Sequence, residues 1–272
     1  MNFDVKINPI KNGFNMAAVS LSSSMASVGG LTSVTFFEIE AIVDQCLDQC
    51  LPVKDIADLV INYLTPEHFG AAEWLRWFGV NVGPEPKLSR KIILFCNQPG
   101  VSDKYLLPVL CPQCIDGQPF TLKLLGQIVQ NPQNGGHASK YISQTPALNQ
   151  HQDTPAGPAC WLVMKKGVEA RGQPYAAQVA WIQSSLASHE ARSSALHLAT
   201  VVFIRHVMTG EYHLGDEDGE EGRWSHGRCQ ELGRYGADSH SLTVGGFAHC
   251  GLNVIDCDYE FNCVGVVALR KF

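Results

Sequence analysis

No stretch of the 272-residue chain approaches eighteen consecutive apolar residues, so the sequence carries no candidate membrane-spanning helix. Charge is also sparse: Asp, Glu, Lys and Arg make up 17% of the chain against 45% apolar residues, too little charge for a disordered polymer. The apolar share suffices for one large core or two modest ones. There is no basic excess. The formal net charge is −6, and acids crowd the segment Asp216-Glu217-Asp218-Gly219-Glu220-Glu221, outside which the chain is close to neutral. A general nucleic-acid binder needs a basic footprint to displace counterions, so neither nucleic acid nor membrane is an expected partner. Two further motifs are missing: a Gly-rich phosphate-binding fingerprint and the Gly-x-Ser-x-Gly elbow of serine hydrolases. No cofactor is expected on this reading.

Cysteine is present but not dense, with ten residues in the chain. Several lie inside apolar runs, where a free thiol behaves as a small hydrophobe. Reduced cysteines and a cytosolic working compartment follow. Lys6 and Lys11 precede an apolar stretch from Met16, which has the order of a secretory signal, but serines interrupt it. Residues 1–32 are expected to be a mobile tail, a composition that also suits a specialised bacterial export signal.

Periodicity and capping place the elements. Thr35-Phe36-Phe37-Glu38 has capping-box spacing and opens a helix through Ile39, Val43, Cys46, Leu47 and Cys50. A second helix after Pro52 carries Ile56, Leu59, Val60, Tyr63 and Leu64 on one stripe. Thr65-Pro66-Glu67 starts a third, which ends at Gly79. Beyond Gly83-Pro84-Glu85-Pro86 the texture changes to short β-like runs, Lys91–Cys96 and Tyr105–Leu110. Asp116-Gly117 forms a turn, Thr121 caps a short helix, and residues 131–158 read as a long loop. Cys160–Met164 is a buried strand, followed by helices over Tyr175–Leu186 and Ala191–Met208. Leu242–Val244, Leu252–Ile255 and Val264–Leu269 suggest a terminal antiparallel meander. The expected class is α+β: a tail over 1–32, a helical unit over 33–82 and a mixed domain over 83–272.

Three candidate sites come from residue chemistry. Cys111-Pro112-Gln113-Cys114 has the CxxC spacing of a zinc or redox pair, but a structural zinc usually takes a second pair, and the nearest candidates are single. No metal is expected there. Pro158-Ala159-Cys160-Trp161 invites comparison with a thiol protease, since a cysteine needs a nearby histidine to become a thiolate. His189, His197, His206, His213, His226, His240 and His249 all follow it, and the sequence does not choose among them. Cys160 also opens an apolar run, so it reads first as a packed strand residue. The acidic segment fails the EF-hand template and reads as a solvated loop.

Leu51-Pro52, the amphipathic stretch from Ile56 and Tyr63-Leu64-Thr65-Pro66 together resemble the start of an F-box. The whole chain is similar to F-box-like proteins of environmental chlamydiae. The resemblance implies a non-enzymatic adaptor that lays Leu51, Pro52, Ile56, Leu59, Val60 and Leu64 on a Skp1-like adaptor protein of a cullin ubiquitin ligase, by helix-in-groove docking. It further implies an unknown cargo protein held by the C-terminal domain, and a bacterial cytoplasmic protein exported into a host cell cytosol. The alternatives are a thiol- or zinc-dependent hydrolase using Cys160 or Cys111 with Cys114, and a lectin-like ligand-binding domain. The closing Gly265-Val266-Val267-Ala268-Leu269-Arg270-Lys271-Phe272 looks like the end of lectin-like or formylglycine-generating domains. Asp256, Asp258, Tyr259, Glu260 and Asn262 would form the ligand loop of that reading.

Overall fold

A helix that is apolar on every side has to be surrounded, and Ala195–Thr209 is such a segment: Leu196, Leu198, Val201, Val202, Phe203, Ile204 and Val207 are all buried. The computed structural model describes residues 64–142, 146–186, 193–215, 224–235, 238–257 and 262–272, together with 39, 41–45, 49, 55 and 60. In chain order the elements are α1 (Ala71–Phe78), α2 (Arg90–Cys96), α3 (Val101–Lys104), β1 (Val109–Cys111), β2 (Cys114–Ile115), β3 (Gln118–Pro119), α4 (Leu122–Ile128) and α5 (Pro146–His151). There follow β4 (Cys160–Met164), α6 (Tyr175–Ser185), α7 (Ala195–Thr209), β5 (His226–Tyr235), β6 (Asp238–Ala248), β7 (Gly251–Asp256), β8 (Val264–Gly265) and β9 (Leu269–Lys271). The class is α+β. None of the described helices is long and apolar enough to cross a membrane.

The chain forms two compact units, residues 1–66 with 88–103, and residues 67–87 with 104–272. This division differs from the expected boundary at 82/83, because 67–87 joins the C-terminal body and 88–103 the N-terminal one. In the first unit Ile39, Val60, Leu64 and Ile93 form a buried cluster, with Ile42, Val43 and Leu88 packed against it. Residues 41–45 are helical, in keeping with the expected first helix. Lys91–Cys96 is a helix, not the expected strand: the Ser89 hydroxyl accepts from the Ile92 amide and caps it. A short apolar run fits either period, and the cap decides.

In the second unit, the chain from Glu67 runs extended, so the expected helix start at Pro66 is corrected to Ala71. Phe69 donates to the Pro108 carbonyl and accepts from Leu110, bridging β1. The Glu73 carboxylate then accepts from the Gly70 amide at 2.9 Å, and Gly79 at φ 68° ends α1. Asp116 and Gly117, both at positive φ, turn β2 into β3, and the Thr121 hydroxyl caps α4. The expected loop contains a helix, α5.

Two principal sheets result. One has the order β1-β4-β9, the other β7-β6-β5-β8. Strands β5, β6 and β7 form an antiparallel meander, as expected in kind, but β8 runs parallel to β5 and β9 crosses to the first sheet. The expected single strand Val264–Leu269 is therefore two strands in different sheets. Helix α7 packs on β1 and β4 of one sheet and on β5 and β6 of the other. Its close seat on β5 requires Gly227, where a Cβ would come 2.8 Å from Leu198 Cδ2 and 2.5 Å from Val267 Cγ2.

Candidate thiol site

The central strand β4 places Cys160 opposite Cys111 of β1, in an antiparallel register that also pairs Leu110 with Trp161 and Val109 with Leu162. Alternation puts the side chains of facing residues on the same side of a sheet. The two thiols, far apart in sequence, therefore meet on the face that α7 covers. Ser194 caps α7 by accepting from the His197 amide at 3.1 Å. Half-buried Glu231 on β5 accepts from the Ala195 amide with both carboxylate oxygens, at 3.2 and 3.0 Å. Helix N-termini favour such acceptors, because their first amides lack intrahelical partners. This double cap fixes the first turn and so the His197 side chain, which hydrogen-bonds Cys160. One turn further, Thr200 donates to the Leu196 carbonyl at 2.7 Å, and its hydroxyl slightly lowers Cys111.

The electrostatics separate the two thiols. Cys160 is pulled from 9.0 down to about 5, foremost by a hydrogen bond from Cys111, with burial opposing and His197 and Lys271 assisting. Cys111 moves the other way, well above the ordinary thiol value, because it donates to Cys160 and is buried. The arrangement is a thiolate with a thiol donor on one side and an imidazole on the other. Burial by itself pushes a thiol up, so specific hydrogen bonds outweigh desolvation at Cys160. The burial of Glu231 raises its carboxyl, with His197 among the groups that pull it back down. His197 Nδ1 has no hydrogen-bond partner among the described residues. The site is buried: Cys111, Cys160 and His197 are 1%, 5% and 9% exposed.

Of the seven histidines downstream of Cys160, the fold selects His197. His206, His213 and His226 are buried or half-buried elsewhere, each lowered first by burial. Helical phase in α7 cannot be read against a strand in another part of the sequence, so no sequence signal singles out His197. The CxxC pair does not converge. Cys111 faces Cys160, whereas Cys114 is in β2, its sulfur 3.5 Å from the position a Gly83 Cβ would take. Among the described residues no three His, Cys, Asp or Glu side chains group as a metal site.

The other expected positions fall as follows. Val60 and Leu64 are 2% and 4% exposed within the first unit's own cluster, so their side chains present no docking surface. Leu51, Pro52, Ile56 and Leu59 lie outside the described residues, as do Asp258, Tyr259 and Glu260 and the acidic segment beyond Gly215. Asp256 ends β7, and Asn262 follows that interval. A cavity of about 340 Å³, lined by Lys123, Gln127, Lys140, Tyr141 and Gln152 among others, shares no residue with the thiol site. Its lining has two lysines and a tyrosine but no cysteine, serine, histidine or carboxylate. Compared with family models, with curated proteins and with solved structures, the chain matches none.

Proposed function

We propose that the second unit is a thiol-dependent acyl-transfer enzyme of the hydrolase type, with Cys160 as nucleophile and His197 as its proton-transfer partner. The observation that carries this reading is the convergence of His197 and Cys111 on the Cys160 sulfur, with the helix bearing His197 pinned by Ser194 and Glu231. A thiolate beside an imidazole is the arrangement by which cysteine attacks a carbonyl carbon. The Cys160 sulfur forms the bond to carbon, His197 gives a proton to the departing group, and the same ring then activates water to release the acyl group. With Cys160 5% exposed, a folded protein surface does not reach the sulfur, so the acyl donor is a small molecule.

The test is pre-steady-state kinetics on the full chain with a small activated ester. A burst equal to the protein concentration is expected, followed by turnover, with the acyl group on Cys160 by peptide mass. Cys160→Ala loses both phases. His197→Ala keeps the burst and slows turnover by about 10²- to 10⁴-fold, the usual worth of positioned acid–base catalysis. An acyl group found only on other cysteines would count against the proposal.

A second reading keeps the first unit as an F-box-like adaptor, and one observation favours it: residues 1–66 with 88–103 form a compact unit with a cluster of their own. Docking to a Skp1-like protein would then use Leu51, Pro52, Ile56 and Leu59, with an unknown cargo held by the second unit and action in a host cytosol. Pull-down with purified Skp1 tests it. Capture that survives Ile56→Asp and Leu59→Asp in folded variants removes this reading.

A further inference from the structure

The pairing of Cys111 with Cys160 has a chemical consequence separate from acyl transfer. Trp161 exchanges both backbone hydrogen bonds with Phe272, at 3.2 and 3.0 Å, so its peptide groups point away from β1. By alternation, the backbone of Cys160 points toward β1, and Leu106 donating to the Met164 carbonyl repeats that direction four residues on. Cys111 and Cys160 thus form a hydrogen-bonded antiparallel pair, which holds Cα atoms about 5.5 Å apart. That separation lies inside the range of roughly 4.4 to 6.8 Å between Cα atoms that a disulfide spans, and since facing Cβ atoms of a hydrogen-bonded pair sit about 5 to 5.5 Å apart, closing the bond draws them together by about 1 Å. Both side chains lie on the one sheet face, directly opposite each other in the register.

We propose that Cys111 and Cys160 are a dithiol modification site oxidised by a small peroxide, with Cys160 as the attacking thiol and Cys111 as the resolving one. The Cys160 thiolate attacks one oxygen of hydrogen peroxide. An S–O bond forms, the O–O bond breaks, and the departing hydroxide takes up a proton to leave as water. Cys111 then attacks the Cys160 sulfur: the S–S bond forms, the S–O bond breaks, and hydroxide leaves as water with the Cys111 proton. Two electrons pass from the sulfurs to the peroxide, and two waters result. The 5% exposure of Cys160 and 1% of Cys111 order these roles, since the oxidant reaches Cys160 first. Burial to this degree excludes a protein disulfide as oxidant and leaves a small one. Oxidation depends on the two thiols alone, whereas its effect on activity, removal of the nucleophile, rests on the acyl-transfer reading above.

The experiment treats the full chain with hydrogen peroxide, blocks residual thiols with N-ethylmaleimide and maps the digest by mass. The expected product is a Cys111–Cys160 linked peptide that dithiothreitol separates. In Cys111→Ser the link is absent and Cys160 is trapped as a sulfenic acid by dimedone. Cys160 left unoxidised, or joined to any cysteine other than Cys111, overturns the proposal; a bond from Cys111 to Cys114 does so equally. The ester burst of the reduced protein keeps the two readings apart. Disulfide without a burst refutes acyl transfer and retains the dithiol site, while a burst without disulfide refutes the dithiol site alone.

Discussion

Replacing Cys111 with Ala removes the foremost donor to the Cys160 thiolate, and the consequence can be worked through. At pH 7 a thiol at about 5 is about 99% thiolate, whereas one at the ordinary value of 9.0 is about 1% ionised, a hundredfold difference. Intrinsic nucleophilicity falls with pKa at a slope of about 0.4–0.5, so a drop of four units weakens attack about 40- to 100-fold. The two effects nearly cancel at neutral pH. At pH 5.5 they do not: the thiolate ratio is then about 2,400, and the low-pKa sulfur is faster by about 25- to 60-fold. The informative measurement is the pH profile of iodoacetamide alkylation, followed on the Cys160 peptide by mass. The burial of Cys160 scales the profile without moving its midpoint. The wild-type midpoint is expected near 5, that of His197→Ala higher, that of Cys111→Ala higher again, and that of the double variant above the ordinary 9.0, because burial is then opposed by Lys271 alone. A wild-type midpoint near 9, or a double variant that leaves it unmoved, would refute the reasoning.

Further predictions concern the scaffold. Ser194→Ala removes the α7 cap and is expected to cost about 1 kcal/mol in chemical denaturation, while raising the Cys160 alkylation midpoint as His197 loses its anchor. Gly227→Ala drives a Cβ onto Leu198 and Val267 and is expected to cost about 1–3 kcal/mol, read as a lowered melting temperature; an unchanged melt would show that α7 is not seated on β5 as described. His213 is lowered from 6.5 to about 4, first by burial and then by Arg205. The unfolded chain therefore binds a proton before the folded one does, so this contribution is full above pH 6.5 and is lost as pH falls from there through 4. Thermal melts should decline over that window, and the decline should be shallower in His213→Gln.

Local signals in the chain were sufficient for many elements. Thr121 caps the helix it was expected to cap, Asp116-Gly117 turns, Gly79 ends a helix, and Cys160–Met164 is buried throughout, whereas the helix expected from Ala191 starts at Ala195 behind its Ser194 cap. Where two local readings compete, as for the apolar run Lys91–Cys96, a single cap at Ser89 tips the balance toward helix. Phe69 shows the opposite case, in which pairing with Pro108 and Leu110 overrides a helix-start pattern. The stretch from Val264 was strand-like, but its division between two sheets depends on partners distant in sequence.

The site divides in the same way. That Cys160 opens an apolar strand, and that His197 sits in the first turn of a helix capped by Ser194, are properties of nearest neighbours along the chain, and the sequence determined them unaided. That His197 and not another histidine reaches Cys160, and that Cys111 faces Cys160 while Cys114 turns aside, was decided only by strand register and by the seat of α7 against both sheets. Capping and periodicity act over three or four residues. A register is set by the burial of a whole face against partners far along the chain, and that information exists only once the chain has folded.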